Sequence, residues 1–216
     1  MAQTHGFSKG EEIANAVTHG IGAVMSLIAL VFLIIASAMD HNAWYAISIL
    51  LFGFSMFLVY LSSTLVHALP KGKAKDIFEI FDHASIYFFI AGTFTPISIF
   101  LIRGRLGWVL LGIVWVLAVG GIVFKAFLTK KFMITSTLLY VLMGWLVVIG
   151  WPEITTHLSR NGISLLFIGG ICYTVGAVFY VWRGFPYHHA VWHLFVIAGT
   201  VLQYFSILLY ISPFTS

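Results

Sequence analysis

The residues able to do chemistry in this 216-residue chain are few, and several of them recur at helical spacing. His189 and His193 are four apart, as are Ser63 and His67, while Glu12, Asn15 and His19 stand three and four apart. Residues so spaced share one face of a helix, and an i,i+4 pair sets two imidazoles roughly 5–6 Å apart at Cβ, a separation that suits joint binding of one metal. His67 is the expected third ligand. Three neutral imidazoles with an open fourth position form the donor set of a catalytic zinc. A closed structural zinc usually takes four protein ligands, often thiolates, and the single Cys172 offers neither a CxxC pair nor an internal disulfide. Around Zn2+ held by His67, His189 and His193, Asp82 is expected to hold the water that the metal activates and to take its proton. Ser63 would polarise an oxygen of the substrate or of an intermediate. Glu12, Asn15 and His19 would orient ligands or line the access path.

Such residues need elements to carry them, and the composition allows one kind. Hydrophobic residues make up 61% of the chain and charged residues 8%, against roughly 45–50% and about 25% in soluble proteins. The pattern predicts an all-α, polytopic membrane protein, a single seven-helix domain over 1–216, with spans at about 14–38, 44–66, 80–102, 107–127, 132–151, 162–182 and 188–211. The breaks fall at Met39–Ala43, Pro70–Lys75, Arg103–Leu106, Thr129–Lys131, Pro152–Gly162 and Arg183–Tyr187. The polar start MAQTHGFSKGEE carries two acids and is not a cleaved signal peptide, so the first helix is expected to be retained.

With the N-terminus cytoplasmic, the inside segments hold Lys9, Lys71, Lys73, Lys75, Lys125, Lys130, Lys131 and Arg183. The outside segments hold Arg103, Arg105 and Arg160. Eight bases against three predict N-inside, C-outside in the cell inner (plasma) membrane. Under that topology the first, second, third and seventh helices bring their polar groups to one depth near the inner face. The outer side offers only Asp40, His41, Glu153 and His157, all expected in loops. Ionisable groups inside membrane helices are costly and usually functional.

Other residues have plainer readings. His188 lies about 100° from His189 round the helix and reads as an interfacial neighbour. His83 stands in the same relation to Asp82 and is the second choice there. His5, His41 and His157 read as solvated, Glu11 as a partner for Lys9, and Lys71, Lys73 and Lys75 as headgroup contacts. Gly20, Gly22, Gly120, Gly121, Gly169, Gly170 and Gly199 predict close helix approach, and Pro96 a kink or loosening of the third helix. Trp108, Trp145, Trp151, Trp182 and Trp192 fall near span ends, where interfacial belts form.

Glu12-Ile-Ala-Asn-Ala-Val-Thr-His19, Ser63-Thr-Leu-Val-His67, Phe81-Asp82-His83 and Pro186-Tyr-His-His189-Ala-Val-Trp-His193, in that order, resemble the bacterial haemolysin III proteins. Those belong with the progestin and adipoQ receptor proteins, which include the adiponectin receptors. The resemblance covers the whole chain. It implies zinc on His67, His189 and His193, the family's aspartate at Asp82 and its serine at Ser63. The adiponectin receptors are associated with zinc-dependent ceramide hydrolysis; this chain is expected to lack their long soluble N-terminal region and with it a platform for a hormone.

The leading expectation is therefore a zinc-dependent hydrolase of a lipid amide or ester, with membrane lipid as its partner and no nucleic acid. One alternative is a haemolysin-like membrane-perturbing protein, although a secreted toxin must be soluble before insertion. Another is a regulator of membrane lipid homeostasis, or a transporter, in which zinc clamps two helices. Bis-histidine haem is disfavoured, because histidines at i,i+4 on one helix cannot take opposite faces of one haem.

Overall fold

In a computed structural model the chain is described over residues 6–40, 42–128 and 131–211. Expectations for His5, His41 and Lys130 fall outside the described residues. The helices are α1 (Lys9–Met39), α2 (Ala43–Ala68), α3 (Lys73–Ile97), α4 (Gly104–Leu128), α5 (Met133–Trp145), α6 (Trp151–His157), α7 (Arg160–Val181) and α8 (His188–Tyr210), and no strand occurs among the described residues. A π-helical turn, Ser98–Ile102, extends α3, and a 3₁₀ turn, Leu146–Gly150, joins α5 to α6. Seven stretches are thus long and apolar enough to cross a membrane, α5 and α6 sharing one. Their lipid-facing sides carry rows of exposed Ile, Val, Leu and Phe such as Ile13, Val24, Val116 and Leu142, a surface that only a bilayer could cover.

The helices run past the apolar spans at their polar ends, because caps and tertiary contacts continue the hydrogen-bond ladder. Helix α1 starts at Lys9 rather than near 14. Ser8 Oγ accepts the Glu11 N–H (3.3 Å) while Glu11 Oε2 accepts the Ser8 N–H (2.9 Å), a capping box that satisfies two end donors. Helix α3 starts at Lys73, so Lys73 and Lys75 lie on a helix and not in the break. Glu153 and His157, expected in a loop, belong to α6, which begins with Pro152 in its first turn where a missing N–H costs nothing. Pro96 lies inside α3 and is followed directly by the π turn, the loosening expected there.

Packing closes a ring in which α1 sits against α2 and α8, α2 against α3, α3 against α4 and α5, α5 against α7, and α7 against α8. Helix α3 is the most enclosed of the spans, with 72% of its apolar window buried against 17% for α1. At the α7–α8 contact a Cβ on Gly169 would stand 3.0 Å from the Gly199 carbonyl, and one on Gly199 2.9 Å from the Gly169 carbonyl. Only glycine lets these backbones approach so closely. The ring encloses an apolar cavity of about 170 Å³. Asp82, Ile86, Phe89, Ile90, Thr93 and Ile97 of α3 line it in one stripe, which at 1.5 Å per residue runs roughly 22 Å along the helix.

Candidate metal centre

Three helices meet at one end of the ring: the start of α1, the end of α2 and the start of α8. One ligand atom from each of His67, His189 and His193 lies within 4.8 Å of the other two, and all three residues are buried. The ring centroids are 5.0 Å apart for His67–His189, 5.5 Å for His67–His193 and 4.6 Å for His189–His193. The spacing of His189 and His193 on α8 supplies two imidazoles, and α2 ends where His67 can face them.

The hydrogen bonds decide which nitrogens are free. His67 Nδ1 lies 2.7 Å from Glu12 Oε2. A carboxylate only accepts, so Nδ1 carries a proton, and in the neutral ring the lone pair is then on Nε2. Thr18 Oγ1 is 2.9 Å from His193 Nδ1, and its own hydrogen goes to the Ala14 carbonyl (2.9 Å) or that of Asn15 (3.0 Å). The oxygen therefore accepts from His193 Nδ1, leaving Nε2 buried with a free lone pair; that nitrogen has no hydrogen-bond partner among the described residues. His67 Nε2 and His189 Nε2 face each other at 3.2 Å. Two nitrogens held at 2.0–2.1 Å on a tetrahedral zinc lie roughly 3.3–3.4 Å apart. The donor set fits such an ion: three buried imidazoles whose ligand nitrogens lie close together, two of them, His67 and His193, with Nδ1 held by a neighbouring side chain.

Glu12 is fixed in turn. Its Oε1 accepts from Lys75 Nζ at 2.7 Å, so Lys75 closes the end of the site instead of reaching for headgroups. Glu11 is likewise not a partner of Lys9. Besides its role in the cap, its Oε1 accepts the backbone N–H of Tyr187 at 3.1 Å. His19 lies flat on His193, with ring centroids 3.4 Å apart and an interplanar angle of 12°, and touches Tyr60 edge-on at 5.1 Å. Because α1 and α2 run antiparallel, with Glu12 level with His67 and His19 level with Tyr60, Asn15 comes level with Ser63. Asn15, His19 and Ser63 are 0%, 1% and 0% exposed. Their polar side-chain atoms have no partner among the described residues.

Asp82 stands outside the imidazole group, on the cavity wall with His19, Tyr180 and Trp192. His83 points elsewhere: it is bonded to the Glu79 carbonyl through Nδ1 (2.7 Å) and to the Tyr180 hydroxyl through Nε2 (3.2 Å). His188 is buried rather than interfacial, with Nδ1 3.3 Å from the Phe179 carbonyl, because the turn before α8 folds back on α7. Trp192, read as a belt residue, packs on His189 (4.7 Å) and His193 (5.0 Å), one turn inside the helix end. Lys125, counted among the inside bases, is 1% exposed. Thr18, Lys75 and Phe7 were not legible as site residues. For Thr18 the available signal was its place three residues after Asn15 on the polar face.

A family model described as haemolysin-III related matches residues 7–204. The chain is 52% identical over 204 residues to the protein named hemolysin-3 homolog of Bacillus subtilis (strain 168), covering 94% of this chain and 96% of that one. It is 47% identical over 206 residues to hemolysin-3 of Bacillus cereus, covering 95% and 94%. Identity to the human monocyte to macrophage differentiation factor is 27% over 211 residues, covering 94% and 86%. No solved structure matches the chain.

Proposed function

The chain belongs to the haemolysin III family, and from that premise we propose that it is a zinc-dependent hydrolase of an amide or ester bond in a membrane lipid. His67, His189 and His193 hold the ion. A zinc ion bound there supplies Lewis acidity and acidifies water towards a pKa of about 7. The protein's own residues do the rest. Glu12 and Thr18 hold two of the ligand imidazoles, His67 and His193, in the tautomer that presents Nε2. Asp82 holds the attacking water and takes its proton. Ser63 donates a hydrogen bond to the carbonyl oxygen of the scissile group as charge develops there. The balance is that of hydrolysis: the acyl carbon gains the hydroxyl, the bond to nitrogen or oxygen breaks, and the leaving atom receives the proton.

The observation that carries this reading is a three-imidazole group set one side chain from an apolar cavity: His19, stacked on His193, lines the cavity wall together with Asp82. The α3 stripe behind Asp82 suits an acyl chain, and His19 and Trp192 stand between the cavity and the imidazoles, each lining the one and packing on the other. The lysine and arginine count supports a plasma-membrane protein with this end of the bundle facing the cytoplasm. A second reading has its own observation. The imidazoles tie α2 to α8, and Glu12 and Thr18 bring in α1, so the ion could act as a clamp between helices.

The test is fatty-acid release from a panel of ceramide, N-acyl-phosphatidylethanolamine and diacylglycerol by metal-loaded protein and by Asp82→Ala. Release from one of them, falling at least about 100-fold in Asp82→Ala with metal retained, is the expected result. Release unchanged by the substitution removes Asp82 from the chemistry. No release from any of the lipids by metal-loaded wild type favours the clamp.

A further inference from the structure

The end of the site that faces away from the cavity is covered, and the cover is the start of the chain's first helix. The Phe7 ring lies over the imidazoles, with its centroid 4.9 Å from that of His189, 5.7 Å from His67 and 6.0 Å from His188. Two features hold it there. The Ser8–Glu11 capping box rigidifies the turn directly after Phe7. Glu11 Oε1 then takes the N–H of Tyr187, the residue that caps the start of α8.

Tyr187 sits at φ 61°, a left-handed conformation that a tyrosine rarely adopts. Its hydroxyl reaches back to α1, where a Cβ on Gly10 would stand 2.9 Å from it. The cover is thus bonded to the residue that sets the first turn of α8, two positions before His189. From this we infer that residues 7–11 are a lid over the metal centre, with Phe7 as plug and the Glu11–Tyr187 bond as latch, and that lid closure and metal binding are coupled. Metal enters and leaves by lid opening, while a lipid reaches the same centre from the cavity side.

The coupling has a physical basis on both sides. With the lid shut, Glu11 bonds the Tyr187 N–H, Gly10 leaves room for the Tyr187 hydroxyl, and α8 starts where His189 can face His67. With the ion bound, His189 is pinned and the surface that Phe7 covers is fixed. By linkage, each event must favour the other by the same factor. The inference rests on the imidazole group binding metal.

Transfer of zinc from purified full-length protein to a chromogenic chelator measures lid opening. Phe7→Ala and Glu11→Ala should each load metal to the wild-type ratio and release it at least about fivefold faster, the lower end of ordinary coupling between sites. Phe7→Tyr, which keeps the ring, should release it at the wild-type rate. Should a variant fail to fold, amide hydrogen exchange of the wild-type chain decides. Metal should slow exchange at residues 8–12 and 187–191 together. Equal release rates in loaded variants, or exchange at residues 8–12 indifferent to metal, overturns the lid. A wild-type chain that binds no metal overturns the metal reading instead.

Discussion

His67 and His157 each lie at the end of a helix, at opposite ends of the bundle, and each commits Nδ1 to one hydrogen bond. His157 is exposed and bonds the Glu153 carbonyl of its own α6 at 2.8 Å. His67 is buried and bonds the Glu12 carboxylate of another helix at 2.7 Å. The first bond finishes a helix terminus. The second fixes a tautomer, aims Nε2 at His189 and leaves it dependent on a partner 55 residues away. Between these two histidines, the origin of the partner on Nδ1, another helix for His67 and its own for His157, separates the metal-site residue from the surface one. The same contrast separates His193, held by Thr18 of α1, from His83, whose Nδ1 bonds the Glu79 carbonyl four residues earlier in its own helix.

That contrast can be broken by removing the orienting groups. The largest effect is expected at Glu12, which also holds Lys75. Glu12→Ala should weaken zinc binding roughly 10–100-fold, as read by competition with a calibrated chelator. Thr18→Val keeps the shape and loses the acceptor for one imidazole along with a local bond to its own helix, so about tenfold, the lower end of the same range, is expected. His157→Ala should leave zinc affinity unchanged. A loss there equal to that of Thr18→Val would erase the distinction between the two kinds of histidine.

Much of this was legible in the sequence, for reasons that also explain what was not. Seven spans follow from hydropathy because bilayer thickness fixes their length. The three imidazoles and Asp82 stood out because charged or titratable groups are rare in such segments. Helix ends were less legible. Helix α1 reaches back to Lys9 through a capping box that hydropathy does not register, although Ser8 and Glu11 stand at its spacing. Helix α6 continues past Pro152 because a proline in the first turn has no N–H to lose. Trp192 was misread since a tryptophan near a helix end looks interfacial until its neighbours are known. Thr18 and Phe7 owe their roles to contacts across 175 and 182 residues, which no local pattern carries. The left-handed residue before α8, Tyr187, likewise bonds Glu11, 176 residues away.

The central claim is that His67, His189 and His193 form one metal centre, and metal analysis of purified protein tests it most directly. Wild type should carry about one zinc per chain after exposure to zinc and removal of excess, and the His189→Ala, His193→Ala double variant should carry none, because one imidazole cannot hold the ion alone. Equal zinc in the two proteins would contradict the account.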